Sequence, residues 1–278
     1  MGTLYLVATP IGNLEDITVR ARRVLGEVSL IAAEDTRHTR KLLAHYDIHT
    51  RLTSYFEHNK LAKLDTVLRA LDNGDVALVS DAGTPALNDP GYELVRAVLE
   101  AGHKVSPLPG PSAPLAALIA SGLPTDSFLY LGYLPRKSVE RQRALEAVRE
   151  QPYTLIFLEA PHRLIATLRD LLDVLGERQI AVARELTKLH EEIFRSGLSQ
   201  AVQHFEQNPP RGEITLVVSG QLPHVVYWDA EQLEAVLPSA LASGEPLGRL
   251  AARLSAESGW PRRKVYQMLL ELQQNSGG

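Results

Sequence analysis

From the first residues to about position 121, the chain alternates short apolar runs with longer amphipathic stretches. The runs at 4–8, 29–33, 51–55, 76–80 and 104–108 have the length of strands, and the stretches 17–25, 36–46, 60–71, 91–101 and 112–121 have helical spacing. Strands that are apolar nearly throughout, separated by helices, indicate a parallel sheet covered on both faces. Residues 1–121 are therefore expected to form a parallel α/β domain.

Gly122-Leu-Pro-Thr-Asp126 breaks this rhythm and reads as a hinge or linker. Beyond it, strands are predicted at 128–134, 154–158, 180–183 and 214–218, and helices at 138–150, 162–175 and 198–207. The interval 184–198 is too short for a crossover helix plus a strand, so 191–195 is predicted to pair antiparallel and give a mixed sheet. A second, mixed α/β domain is thus expected over 126–222. Residues 229–278 differ in character, with short helices predicted at 230–237, 247–258 and 262–272, divided by Ser-Gly-Glu-Pro and Ser-Gly-Trp-Pro. A Gly-containing turn followed by a helix that opens on Arg262, Arg263 and Lys264 suggests a small helix-turn-helix-like module, although a solvated basic helix has the same pattern.

Three loops rich in Pro and Gly follow strands of the first domain, at 8–13, 80–91 and 107–113. Gly permits close approach of main chain to a ligand and Pro fixes the turn, so such loops present backbone N–H and C=O groups as a rigid surface. All three should lie at the carboxyl edge of the parallel sheet, where open α/β sheets bind ligands. The first contains only Gly12, not Gly-x-Gly-x-x-Gly, and no Gly-x-x-x-x-Gly-Lys-Ser/Thr occurs anywhere. Dinucleotide and P-loop readings are therefore removed, and a pocket for an adenine-bearing ligand remains.

Composition narrows the chemistry further. With no Cys in 278 residues, disulfides, thiolate metal sites and thiol nucleophiles are excluded. Of the nine His, only His45 and His49 are four apart, and no Glu follows the first, so no metal is expected. Hydrophobic residues at 45% and charged residues at 22% are ordinary for a soluble globular protein, and no apolar run reaches a membrane span. The N-terminus enters a strand pattern without a basic-then-apolar leader, so a cytoplasmic location is expected. A net charge of -4 argues against a generally basic nucleic-acid coat but leaves room for local basic patches.

Several ordered motifs match one family: Thr9-Pro-Ile-Gly-Asn13, Ala33-Glu-Asp-Thr-Arg37, Ser80-Asp-Ala-Gly-Thr-Pro85, Asn88-Asp-Pro-Gly91, Pro109-Gly-Pro-Ser112, Glu159-Ala-Pro-His-Arg163, Ala183-Arg-Glu-Leu-Thr-Lys188 and Arg211-Gly-Glu213. Together, over about residues 3–220, they resemble the bacterial small-subunit ribosomal RNA cytidine 2′-O-methyltransferases of the tetrapyrrole methylase superfamily. The one departure is Arg211, where Lys is expected; both are cationic. The resemblance implies two α/β domains with S-adenosylmethionine in the cleft between them. It further implies methylation of a decoding-centre cytidine ribose in 16S ribosomal RNA or the small ribosomal subunit, and a homodimer. By position it assigns cofactor contacts to Pro10, Ile11, Gly12, Asp81, Thr84, Leu87, Asn88, Ser112 and Ala113, with Leu158, Ala183 and Ile214 from the second domain.

Methyl transfer to a hydroxyl is an in-line displacement that requires a proton acceptor. Glu34, Asp35, Asp81, His162, Glu185 and Lys188 stand at or near predicted strand ends, and Asp81 is the first choice because it closes a strand beside the cofactor loop. Asp35, just before Thr36, also fits a helix N-cap, and Asp89 before Pro90 carries the same structural signature. Arg37, Arg163, Arg184 and Lys188 suit phosphate clamps, since a planar guanidinium matches phosphate oxygens, although each singly also fits a surface ion pair. With His38, Arg40 and Lys41, and with Arg136, Lys137, Arg141 and Arg143, they form local basic patches; His162 and the Arg262-Arg263-Lys264 run are further candidate RNA contacts. Tyr55, Phe56, Tyr130 and Tyr133 could stack a splayed base or belong to the core. Two other readings share the fold: a tetrapyrrole C-methyltransferase of precorrin or uroporphyrinogen type, for which Arg-rich loops have no use, and a non-catalytic RNA-binding protein, against which the intact pocket loops argue.

Overall fold

The alternation of apolar runs and amphipathic stretches resolves into β1 (Thr3–Val7), α1 (Val19–Glu27), β2 (Leu30–Ala33), α2 (Thr36–His45), β3 (Leu52–Ser54), α3 (Lys60–Asn73), β4 (Val76–Val79), α4 (Tyr92–Glu100), β5 (Lys104–Leu108) and α5 (Ala113–Ser121). There follow β6 (Phe128–Tyr133), α6 (Ser138–Glu146), β7 (Thr154–Glu159), α7 (Leu164–Leu175), β8 (Gln179–Arg184), β9 (Glu192–Gly197), α8 (Leu198–Gln207) and β10 (Ile214–Val218). The computed structural model describes residues 1–56, 60–221 and 228–275, with the side chains of 60–62 and 275 outside that description. Residue 222 of the expected second domain and 276–278 of the expected C-terminal module therefore lie outside the described residues.

Strands β1–β5 form one all-parallel sheet in the order β3-β2-β4-β1-β5. One face is covered by α1 and α2, through Val24, Leu25, Leu42 and Leu43. The other is covered by α3 and α4, through Val67, Leu71, Leu94 and Val98. Burial on both faces is why these strands read as continuous apolar runs rather than as alternation. Side-chain caps set where the helices begin. The Thr18 hydroxyl accepts the Ala21 N–H at 3.0 Å, so α1 starts two residues later than its apolar spacing suggested.

Strands β6–β10 form a mixed sheet in the order β6-β7-β10-β8-β9. The antiparallel β8–β9 pair expected from the short connection forms, with Ala183 opposite Ile193. Strand β10 inserts antiparallel between β7 and β8, setting Thr215 opposite both Leu158 and Ala183. That placement was not legible in the pattern, because an apolar strand buried on both faces carries no mark of direction. Helix α6 ends at Glu146, short of the expected 150.

Helix α5 belongs in sequence to the first half, yet its Ala117 and Leu118 pack with Ile156, Ala181, Ala183 and Val217 of the second sheet. Ile11 and Leu186 join the same cluster, so the two sheets share apolar contacts rather than meeting through a bare linker.

The chain divides after Gln221, and the second unit holds α9 (Ala230–Leu241), α10 (Leu247–Ser258) and α11 (Arg262–Asn275). They enclose a core of their own built from Leu233, Leu237, Leu250, Leu254, Val265 and Leu269. Asp229 and Gln232 form a reciprocal capping box at the start of α9. That helix continues through Pro238 to Leu241 instead of ending at 237, because Leu237 and Ala240, on either side of the missing N–H, are both buried. A left-handed Gly259 stops α10. Among the described residues, no helix is long and apolar enough to cross a membrane.

Candidate active site

The strand order places a topological switch between β4 and β1, whose following connections run to opposite sides of the sheet. There the first two Pro/Gly loops bond to each other: Thr9 N–H donates to the Gly83 carbonyl at 2.9 Å and Gly83 N–H returns to the Thr9 carbonyl at 3.0 Å. The third loop joins them through Thr84, whose hydroxyl donates to the Pro111 carbonyl at 3.1 Å. Within 80–91, Ala86 and Asn88 hold φ of 65° and 64°, a conformation that costs a non-Gly residue about 1–3 kcal/mol. The Asn88 side chain sits against Gly132 of β6, where φ is 62° and an added Cβ would stand 2.2 Å from Asn88 Nδ2. A register irregularity between Tyr130 and Gly132 makes room for this contact.

Between these loops and the second sheet lies a cavity of about 400 Å³. Its first wall includes Ile11, Glu34, Asp81, Thr84, Leu87, Asn88, Asp89, Ser112 and Ala113; its second includes Tyr130, Tyr133, Leu158, Glu159, Gly212, Glu213, Ile214 and Thr215. Among the described residues, no Lys or Arg lines it.

Carboxylates on the first wall are clustered and lack a cation within the cavity. Asp81 N–H donates to Glu34 Oε2 at 3.2 Å, and Asp35 N–H donates to Asp81 Oδ1 at 3.0 Å, so adjacent strand ends exchange backbone-to-carboxylate bonds. Burial raises the Glu34 carboxyl above its ordinary value, and the neighbouring charges of Asp81 and Asp35 add to this. Asp89 is pushed up to about 6, first by burial and then by the charge of Glu34, against a hydrogen bond from Ser80. Across the cavity the Tyr130 phenol is pushed up to about 12, chiefly by burial and then by Asp89.

On the second wall the charges are paired. The Glu159 carboxylate accepts from Thr167 Oγ1 at 2.5 Å and Ala160 N–H at 2.8 Å, and faces Arg163 Nε at 3.3 Å. Lys188 Nζ reaches Glu185 at 2.9 Å and Glu213 at 3.3 Å. The Glu185 carboxyl is held below its ordinary value, first by the hydrogen bond from Lys188. Gly212, at φ 83°, packs on the Glu185 side chain, where a Cβ would stand 2.2 Å from Oε1.

The structure thus brings together on the cavity lining Ile11, Asp81, Thr84, Leu87, Asn88, Ser112, Ala113, Leu158 and Ile214, with Glu34 of the candidate proton acceptors. It leaves out Pro10 and Gly12, the latter resting on the Thr187–Lys188 side chains. Ala183 is buried behind Thr215 and touches only a small void beside Ile11. Asp35 is the N-cap of α2, accepting Arg37 N–H at 2.8 Å, its carboxylate is bound by the Arg37 guanidinium, and it is not among the cavity's lining residues. Lys188 is held between two carboxylates outside the lining.

The cationic candidates divide in the same way. Arg37 and Arg40 are exposed on α2, and His162 is exposed on the 3-10 turn Pro161–Arg163. Arg163 is turned inward, donating to the Leu134 and Pro135 carbonyls at 2.8 and 3.1 Å. Arg184 forks onto Glu192 at 3.0 and 2.8 Å across β8–β9. Arg141, expected in a surface patch, is 4% exposed and bound to Asp170. Arg262, Arg263 and Lys264 are exposed on α11, with Lys264 Nζ 4.6 Å from the centre of the Trp260 ring. Tyr55 is 1% exposed and belongs to the core under the first sheet.

Asp89 is the residue that sequence reasoning set aside. Its Asp-Pro signature suggested an N-cap, but the N-cap of α4 is Gly91, which leaves the Asp89 carboxyl at the cavity. The signal available was its place directly after Leu87 and Asn88, both already assigned to the pocket. Glu159 and Glu213 stood in family motifs but were given no role, and Thr215 was not singled out, since nothing local marks a strand-end side chain that faces a cleft.

Comparison with known proteins agrees with this architecture. Residues 3–202 match the tetrapyrrole (corrin/porphyrin) methylases. Proteins named ribosomal RNA small subunit methyltransferase I are 49% identical in Synechocystis sp., covering 98% of this chain and 99% of that protein, and 47% identical in Escherichia coli O157:H7, covering 98% and 96%. The protein of that name from Thermotoga maritima is 48% identical over 222 residues, which are 80% of this chain and all of that protein. Among solved structures, a uroporphyrin-III C-methyltransferase from Thermus thermophilus complexed with S-adenosylhomocysteine superposes with a TM-score of 0.54 at 22% identity, covering 79% of this chain and 98% of that one. Cobalt precorrin-4 methyltransferase gives 0.59 at 15%, covering 78% and 94%; at such identities the likeness is one of fold. A match through the greater part of its length, on the same pair of sheets, makes this chain a member of the tetrapyrrole (corrin/porphyrin) methylase family.

Proposed function

We propose that the chain uses S-adenosylmethionine to methylate a ribose 2′-hydroxyl of small-subunit ribosomal RNA, at a decoding-centre cytidine. The observation that carries the substrate class is near-full-length identity of 47–49% to proteins named ribosomal RNA small subunit methyltransferase I. The cavity fits the cofactor in size and chemistry. A volume of about 400 Å³ lies in the range of small-molecule sites, and its lining pairs apolar patches at Ile11, Leu87, Ala113 and Leu158 with a carboxylate cluster suited to a cationic ligand.

When bound, S-adenosylmethionine supplies a methyl group on a positively charged sulfur, open to displacement by an oxygen. Ile11, Thr84, Leu87, Asn88, Ser112 and Ala113 hold one side of it, and Leu158 and Ile214 the other. Glu34 and Asp81, interlocked through each other's strand ends, lend negative charge to the first wall. Asp89 accepts the hydroxyl proton, because a carboxyl near 6 is ionised at neutral pH yet basic enough to take part in proton transfer. Asp81 thereby moves from proton acceptor to electrostatic support. Tyr130 and Tyr133, which line the same cavity, stack on the base of the incoming nucleotide.

Arg37 and Arg40 on α2 and the Arg262–Lys264 cluster on α11 supply phosphate contacts. Deletion of residues 229–278 weakens RNA methylation more than cofactor binding. Leu115 and Ile119, 50% and 77% exposed one turn apart on α5, favour a homodimer, which light scattering on the purified chain tests. A ribosomal substrate supports a cytoplasmic location. The deciding experiment supplies methyl-labelled cofactor with small subunits, naked ribosomal RNA or uroporphyrinogen. Label in ribose is expected, and label in the tetrapyrrole, or in none of the three, contradicts the reading.

A further inference from the structure

A second depression, remote from the carboxylate cavity, lies along the free edge of the first sheet. It has a volume of about 420 Å³ and runs between β3 and α3. Arg51, Lys63 and Arg69 line it, and among the described residues no carboxylate does. Lys63, Thr66, Ala70 and Asn73 recur at the three- and four-residue spacing of one helix face, so the α3 wall is a continuous stripe that opens on the edge strand.

Three features mark it as an anion site. First, Asp and Glu outnumber Lys and Arg by 33 to 29 in the whole chain, so a lining with three cations and no acid departs from the average surface. Second, Arg51 and Lys63 have no ion-pair partner among the described residues, unlike Arg163, Arg184 and Lys188. Like charges gathered without a counter-charge repel one another until an anion joins them. Third, Arg69 Nε donates to the Asp65 carbonyl at 3.1 Å, an anchor that leaves the outer guanidinium nitrogens available to a ligand.

The form of the groove indicates which anion. Lys63 and Arg69 are six residues apart on one helix, about 9 Å along its axis, with Arg51 on the facing wall. Cations spread over two facing walls suit a repeating polyanion better than one compact phosphate. On the opposite face of the same sheet, α2 carries exposed Arg37, Arg40 and Lys41, so basic groups flank the β3 edge from both sides.

We infer that the groove between β3 and α3 binds the phosphodiester backbone of the substrate RNA, away from the nucleotide being methylated. The inference rests on the ribosomal RNA reading above for the identity of the polyanion. Backbone contacts position a nucleic acid without reading its sequence, which would orient a large folded substrate while the cavity selects the ribose.

The test compares the wild-type chain with an Arg51→Ala/Lys63→Ala/Arg69→Ala variant, and with Arg51→Lys/Arg69→Lys, for binding to a small-subunit ribosomal RNA fragment over about 50–200 mM salt. All three side chains are at least partly exposed, and melting with cofactor titration verifies that fold and cavity are intact. Loss of three phosphate contacts is expected to flatten the log–log salt slope by about 2 and to weaken binding at least tenfold (about 0.7 per contact on single strands). Cofactor affinity stays unchanged, and the lysine variant retains the slope. An unaltered slope in the triple-alanine variant overturns the inference, as does inorganic pyrophosphate occupying the groove without displacing RNA. If the wild-type chain itself shows no salt-dependent RNA binding and no ribose labelling, the ribosomal RNA reading falls, and the groove's occupant with it.

Discussion

The two sheets of this molecule treat charge in opposite ways. At the carboxyl edge of the parallel sheet, Glu34, Asp81 and Asp89 are brought together with no cation among the cavity's described lining residues, and two of the three carboxyls are raised. On the mixed sheet the charges form closed sets: Glu159 with Arg163 and Thr167, Glu185 with Lys188, and Asp170 with Arg141, Ser138 and Gln142. A carboxylate that has its cation is a fastener, and one that lacks it is available to a ligand. The parallel sheet therefore supplies the chemistry, and the mixed sheet supplies a rigid wall opposite it.

The sharpest way to break this contrast is Asp89→Asn. Loss of a positioned proton acceptor lowers single-turnover methylation by about 10²–10⁴-fold, while cofactor affinity changes far less. In the wild-type chain the rate should fall as pH drops through about 6, where Asp89 takes up its proton, and the variant should lack that limb. The stability effect runs the other way. The folded-state value lies above the ordinary 3.8, so the Asp89 contribution to stability is fully present below that value and is lost as pH rises through about 6. A wild-type-like rate and pH profile in the variant would remove Asp89 from the chemistry.

Next in size is Asp170→Ala. Arg141 and Asp170 are 4% and 8% exposed at their side chains, so removing one leaves a buried charge unmatched, at a cost of about 3–5 kcal/mol. Denaturant unfolding measures this, and a loss below 1 kcal/mol would show the pair to be a surface contact in energetic terms. Gly132→Ala should cost less, about 1–3 kcal/mol from its left-handed backbone, yet weaken the cofactor because the new Cβ displaces Asn88. Equilibrium unfolding and cofactor titration on one sample separate the two effects. The smallest effect belongs to Arg184→Ala. Its pair with Glu192 is partly exposed and is worth no more than about 1 kcal/mol, and RNA affinity should not move. A drop in RNA affinity would restore the phosphate-clamp role that the fork onto Glu192 argues against.

Much of the carboxylate cavity was legible before any tertiary contact was known. Loops following parallel strands must emerge at one sheet edge, which located the pocket, and the family resemblance then singled out Ile11, Thr84, Leu87, Asn88, Ser112 and Ala113, all of which line one space. The basic side chains were far less legible. Arg37, Arg141, Arg163 and Arg184 look alike in a sequence, but one is exposed, one is buried, and two are tied into the framework of the second sheet. A long flexible cation takes its role from whichever carboxylate or carbonyl the fold brings near, and that neighbour is usually distant in the chain.

What the amino-acid order determined by itself follows from local physics. The period of the apolar runs set the strands and helices, Thr18, Asp35 and Asp229 set helix starts, and Gly and Pro set the loops. Tertiary structure alone decided the direction of β10, the crossing of α5 onto the second sheet, the exposure of Asp89 to the cavity and the cation stripe beside β3. Each depends on which distant segment lies alongside. Hydrophobic burial fixes that a surface is covered but not by what, and the ionisation of a carboxyl depends on the charges and solvent that the covering segment brings or takes away.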